Sequence, residues 1–280
     1  MQRRLVISTA AFLRLVAAPP PAPLPVETPI IYVESPTGIS LTVYAQAWPD
    51  LVPLTTRLDQ GARDAVKSEL ERLAATTAIT DGRLNLLAQL NREDGKLDAA
   101  DAFIERAIAS NPMQPLNHFQ QAMIGHARLS NATSGLERWK WHRRTRAAYE
   151  AAFALDPKPI PYRYYLVYGY LEAPAIAGGD KDEALRMTQE AIQIGQKEFY
   201  VVRADVYRLR GRPEAAFADY DRAMDEHIFK LRSFVAAGDL ALERHDYPRA
   251  KRYFEWAVHC RPDSPAARDG LARYAKAIVK

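Results

Sequence analysis

The feature that most limits what this chain can fold into is a spacing that recurs. Phe234, Ala237-Gly238, Ala241, Ala250, Phe254, Ala257 and Pro262 set one register of large and small residues. Moved back from 234 to 200, the same slots hold Tyr200, Arg203-Ala204, Tyr207, Ala216, Tyr220, Ala223 and Ile228. They return near the front as Leu84, Leu87-Ala88, Asn91, Ala100, Ile104, Ala107 and Pro112. Small residues at Ala88, Ala204 and Gly238 in a first helix, and at Ala100, Ala216 and Ala250 in a second, let two helix axes approach closely while neighbouring large side chains fill the rest. Gly95 and Gly211 fall at the turn between the two, where a left-handed backbone is needed. The unit implied is a helical hairpin that buries its apolar face only by stacking on the next.

A helical hairpin repeating about every 34 residues with these slots resembles the tetratricopeptide repeat family. The resemblance implies an all-α, right-handed superhelical solenoid of about five hairpins, at 81–114, 115–159, 162–196, 197–230 and 231–264, with a capping helix at 265–280. Two units depart from the pattern. Residues 162–196 carry extra residues around Ala175-Ile176-Ala177-Gly178-Gly179, a glycine pair familiar from bacterial members of the family. Residues 115–159 carry a longer insertion, read as a loop from Ser130 to Gly135 followed by a long helix from Glu137 to Leu155. Pro265 to Val279 repeats the first-helix phase through Leu271, Ala272 and Ala275 and then stops, as a terminal cap does.

The repeat domain is expected to begin at residue 54. Thr56 to Thr77 reads as one amphipathic helix through Leu58, Ala62, Val66, Leu70 and Leu73, with Thr56 and Asp59 as candidate caps. Residues 1–53 read as a leader or a disordered proline-rich segment. Arg3 and Arg4, the apolar run Leu5–Leu13 and the prolines from Pro19 to Pro25 have the outline of a secretory signal. Arg14 within that run and Pro19 after Ala17-Ala18 argue the other way; the spacer favours an exported or periplasmic location over a cytoplasmic one. Within the same segment, Ile30–Val33 and Ile39–Val43 are candidates for a hairpin across Pro36-Thr37-Gly38.

Composition excludes more than it assigns. A chain of 280 residues with 48% hydrophobic and 26% charged side chains is globular, and a net charge of +4 does not by itself imply nucleic acid. One cysteine, Cys260, rules out an intrachain disulfide framework and a cysteine-rich zinc site. Six scattered histidines form no His-Glu-x-x-His pair, and Gly178-Gly179-Asp180-Lys181 lacks the spacing and the Ser/Thr of a phosphate loop. No nucleophile elbow is present. The expectation is a non-enzyme with no metal and no cofactor.

In the resembled family, first helices line a concave groove. Carried over by position, the lining here is Asn85, Gln89, Phe119, Met123, His126, Arg163, Leu166, Tyr170, Val201, Asp205, Arg208, Arg232 and Asp239. Apolar in the middle and polar at the ends, it suits a peptide or an amphipathic helix of another protein with apolar anchors. Asn85, Phe119, Leu166, Val201 and Val235 stand where chaperone-tail receptors carry a lysine- and asparagine-rich clamp, which argues against that role. The expected function is therefore a protein-binding scaffold. The alternative lies in Arg138, Lys140, Arg143, Arg144 and Arg146 beside Trp139 and Trp141, a basic aromatic helix able to meet nucleic acid or an anionic surface. Against it, Trp141, Thr145, Ala148 and Ala152 form an inward stripe, leaving the arginines as a solvated face.

Overall fold

The computed structural model describes residues 31–32, 39–75 and 79–279. Among these, five helical hairpins follow one another: α4 (Asp81–Glu93) with α5 (Leu97–Ser110), α6 (Pro115–Asn131) with α7 (Gly135–Leu155), α8 (Ile160–Glu172) with α9 (Lys181–Gln193), α10 (Phe199–Leu209) with α11 (Pro213–Asp225), and α12 (Leu231–Glu243) with α13 (Tyr247–Cys260). A single helix, α14 (Pro265–Ile278), follows the last hairpin. The fold is an all-α repeat solenoid.

Close packing explains the repeated small residues. Ala88, Ala100, Ala204, Ala216 and Ala250 have no exposed surface. In the last hairpin the Phe254 ring fills the space that two glycines leave: a Cβ at Gly238 would stand 2.5 Å from it, and one at Gly270 of α14 would stand 2.3 Å from it. α14 thus closes the array by packing on an aromatic face, and Arg273 fastens it to Asp239 at 2.8 Å. Three hairpin turns share a left-handed residue, Gly95 (φ 74°), Gly211 (φ 68°) and His245 (φ 58°), and Gly195 (φ 89°) does the same between the third and fourth hairpins. In each, the next backbone N–H reaches back to a helix carbonyl, as in Lys96 N to Asn91 O at 2.8 Å and Asp246 N to Ala241 O at 2.9 Å.

The insertion in the second hairpin lengthens both helices, α6 to 17 residues and α7 to 21, instead of forming a long loop. Only Ala132–Ser134 connects them. Ser134 accepts from the Glu137 N–H at 3.2 Å and Glu137 accepts from the Thr133 N–H at 3.2 Å, so two orphan donors at the start of α7 are satisfied. At Gly125 the two long helices come so close that a Cβ would lie 2.3 Å from Thr145 Oγ1.

The N-terminal side differs from expectation. The helix expected over Thr56–Thr77 is two, α2 (Val52–Asp59) and α3 (Arg63–Ala74), separated at Gly61 (φ 84°). Thr56 caps neither, since its hydroxyl donates to the Val52 carbonyl within α2 at 2.8 Å. Ile39–Val43 does not form a strand. Leu41–Ala47 is helix α1, capped by Ser40, because Leu41, Tyr44 and Trp48 recur at helical and not at strand spacing. The short strand β1 (Ile31–Tyr32) pairs in parallel with β2 (Ile228–Phe229), between α11 and α12. A boundary at residue 53 would cut through α2 and set aside α1, whose Tyr44 has no exposed surface. The leader expected over the first residues lies outside the described residues.

Candidate functional site

The face built by the first helices α4, α6, α8, α10 and α12 is occupied at one end by the chain itself. The Gln89 side chain accepts from the Ile39 N–H at 2.9 Å and donates to the Ile39 carbonyl at 3.0 Å. Tyr44 donates to Asn85 Oδ1 at 2.7 Å, and Asn85 in turn donates to Asn117 Oδ1 at 2.8 Å. Trp48 lies against Gly82, where a Cβ would approach its ring to 2.4 Å, and its indole N–H donates to Asp81 at 3.2 Å. Asn85 and Gln89 are thus lining residues, as their register implies, yet both are buried beneath residues 39–48.

The apolar middle of the expected groove is core. Phe119 is 3% exposed, with its ring centre 4.9 Å from that of Tyr162 and 5.9 Å from those of Tyr149 and Tyr165. Met123 accepts from the Tyr149 hydroxyl at 3.5 Å, and Leu166 and Val201 are buried as well. Arg163 is buried over the Phe153 ring, donates to the Met187 carbonyl at 3.3 Å and has its pKa lowered by desolvation. Asp239 is engaged by Arg273. The partners of the buried positions are second helices as well as the next first helix: Met123 meets Tyr149 of α7, Arg163 meets Phe153 of α7 and Met187 of α9, and Phe119 meets Tyr162 and Tyr165 of α8.

What remains open runs along α8. A small cavity of about 70 Å³ lies among His126, His142, Tyr149, Tyr165 and Tyr168, and desolvation there lowers the pKa of both histidines. Past Tyr168 and Glu172 it continues into a cleft of about 490 Å³ carrying Lys181, Arg208, Lys230 and Arg232 against Glu172 and Asp205. Arg232 is well exposed and pairs with Glu172 at 3.3 Å. Tyr170 stands half-buried nearby, its hydroxyl donating to Glu150 at 2.9 Å and its pKa pushed up to about 12 by burial.

Asp205 forms the floor of that cleft and joins four elements. It accepts from Tyr168 at 2.5 Å, Tyr220 at 2.8 Å, Ser233 at 2.6 Å and Lys230 at 3.3 Å. Burial opposes its ionisation, but the Lys230 charge and the three hydroxyl donors outweigh burial and hold its pKa below the usual carboxylate range. Tyr168, Tyr220, Lys230 and Ser233 are neighbours of Asp205 that the sequence reading did not bring together. They come from different helices, and only Asp205, an acid on the buried side of an apolar helix, could have signalled such a network.

The basic segment of α7 divides in two. Arg144 pairs with Glu105 at 2.7 Å, and Arg146 with Glu150 at 3.3 Å. Among the described residues, Arg138, Lys140 and Arg143 are exposed and in no ion pair. Both indoles already carry cations: Arg128 lies 5.1 Å from the Trp141 ring centre and Arg144 5.4 Å, while Arg143 lies 4.8 Å from that of Trp139. The inward stripe is present, with Thr145, Ala148 and Ala152 buried. Cys260 is buried, which pushes its thiol up to about 12. Among the described residues, no group of three or more His, Cys, Asp or Glu side chains could hold a metal ion, and no helix is long and apolar enough to cross a membrane.

These hairpins define the class of protein: a tetratricopeptide-repeat solenoid. Residues 83–112, covering most of α4 and α5, match the tetratricopeptide repeat family model. No curated protein sequence matches the chain. Three solved structures share the fold at 16% identity. They are a tetratricopeptide repeat protein from Parabacteroides merdae (TM-score 0.54, over 83% of this chain and 84% of that one), PilF from Pseudomonas aeruginosa (0.56, 82% and 99%), and the human IFIT1 dimer with m7Gppp-AAAA (0.58, 85% and 54%).

Proposed function

We propose that this chain is a non-catalytic interaction scaffold that receives a segment of another protein in the cleft along α8, α10 and α12. The observation that carries the reading is the pairing of Gln89 with both backbone groups of Ile39. A first-helix amide on the lined face already grips main chain in a sequence-independent way, which is how a repeat groove holds a peptide. Residues 39–48 fill the first-repeat end of that face, so the open end is where a partner is received. There four cations face two acids, so an acidic segment suits it. The contact is therefore assigned to Arg208 and Arg232, not to the buried Phe119, Met123 and Leu166. A repeat fold supports protein partners in general; the choice of an acidic one rests on the cleft charges.

The test is capture of partners by the full chain from lysate, followed by binding measurements with the recovered protein. Arg232→Glu should weaken that binding at least about tenfold, because it sets a like charge against an acidic partner, with an unchanged melting temperature, because Arg232 is exposed. Unchanged affinity for Arg232→Glu and for Arg208→Ala would remove the cleft from consideration.

A further inference from the structure

Two departures from the repeat period, far apart in sequence, meet in space. One is the extended start of α7; the other is the insertion Ala173–Asp180 between α8 and α9, whose short 3-10 turn spans Ala175–Ala177. Arg146 pins the insertion to α7 by donating to the Gly178 carbonyl at 2.5 Å and the Ala177 carbonyl at 3.4 Å. Two glycines permit this: Gly178 takes φ 86°, and a Cβ at Gly179 would stand 1.8 Å from the Ala173 carbonyl oxygen. The Trp139 indole N–H adds a bond to the Ile176 carbonyl at 3.3 Å. The result is one ordered projection built from both irregularities.

That projection carries apolar side chains where solvent should be. Ile176 is 87% exposed, Leu136 75% and Trp139 37%. Leu136, Trp139, Lys140 and Arg143 recur at i, i+3, i+4 and i+7, so they share one face of α7; Arg138, also exposed, lies across the helix from them and donates to the Ala132 carbonyl at 3.4 Å. Exposed apolar side chains beside cations that, among the described residues, form no ion pair are complementary to one kind of partner.

We propose that this projection is a peripheral docking site for a membrane surface bearing anionic lipids. Ile176, Leu136 and the edge of Trp139 enter the headgroup region, Lys140 and Arg143 meet the lipid phosphates, and Arg138 adds to the local positive potential. Nucleic acid fits the same residues poorly. Base stacking needs a free aromatic face, yet Arg143 covers Trp139 while Arg128 and Arg144 cover Trp141. The unpaired cations also fall within two helical turns and form no track for a phosphate backbone. The site is separate from the cleft proposed for protein partners, and neither depends on the other.

Co-sedimentation of the full chain with vesicles tests this. Binding should be strong to equimolar phosphatidylglycerol and phosphatidylcholine, weak to phosphatidylcholine alone, and should fall at high salt. Arg138→Ser/Lys140→Ser/Arg143→Ser should lower binding at least about tenfold. Leu136→Ser/Ile176→Ser, which removes no charge, should lower it comparably, with the circular dichroism spectrum of both variants unchanged. Equal binding of the wild type to the two vesicle types would overturn the proposal. So would single-stranded RNA binding that requires the three cations and survives the Leu136→Ser/Ile176→Ser change, since it would assign the face to nucleic acid.

Discussion

The side-chain amide of Gln89 meets both backbone groups of Ile39, accepting from its N–H at 2.9 Å and donating to its carbonyl at 3.0 Å. Both residues are buried, so neither backbone group has water as an alternative partner. This side chain therefore holds the start of the N-terminal segment to the first repeat, beside the bonds from Tyr44 to Asn85 and from Trp48 to Asp81. Gln89→Ala should leave a buried donor and acceptor unsatisfied, at a cost of about 1–3 kcal/mol for each group so exposed. Amide hydrogen exchange of residues 39–48 should rise well before that of α10 to α13. Unchanged protection of Ile39 in the variant would show that Tyr44 and Trp48 hold the segment without it.

Phe119 is read from its register as a groove anchor, but it lies among three tyrosines. Phe119→Ala should destabilise the protein by about 3–5 kcal/mol, as expected for an emptied aromatic site. Phe119→Glu should do worse, by burying a charge with no partner. Thermal melting followed by circular dichroism decides the matter, and wild-type melting of Phe119→Glu would return the residue to the surface.

Position 245 is one where a histidine adopts the backbone that glycine adopts in the hairpin turns at Gly95 and Gly211. A left-handed conformation costs a residue with a Cβ about 1–2 kcal/mol, which the greater chain entropy of glycine partly offsets. His245→Gly should therefore raise the urea midpoint modestly, and Gly211→Ala should lower it. The reverse order would mean that the 3.2 Å contact between His245 and Tyr247 outweighs the strain.

Asp94 ties α3 to the end of α4. Hydrogen bonds from Lys67 and Arg63 hold its pKa at about 2, below its ordinary value of about 4. A carboxyl with a depressed folded pKa contributes stability that is complete above its unfolded pKa and is lost as pH falls through the folded one. Asp94→Asn should thus be less stable than the wild type at neutral pH. The gap should narrow from about pH 4 downward and close near pH 2. Denaturant unfolding at several pH values measures it, and a gap independent of pH would exclude this carboxylate as the source.

The local sequence determined what short-range physics can determine. Alanines and glycines at Ala88, Ala204 and Gly238 must sit where helices cross, whatever the array does, so the hairpin fold was legible. Gly95 and Gly211 announced the turns for the same reason, because a positive φ is a local property. What the tertiary structure decided is which side of each first helix faces a groove and which faces a neighbour. Phe119, Leu166 and Asp205 are positioned by the packing of hairpin on hairpin, and helical spacing is the same for either surface. The placement of Ile39 and Tyr44 on Gln89 and Asn85 depends on contacts 41 to 50 residues apart, and nothing in a local pattern encodes such a return. The two insertions were each visible as breaks in the period. Their meeting through Arg146 and Gly178 arises only when α7 and α8 pack, since a break in register shows where a chain departs but not what it touches.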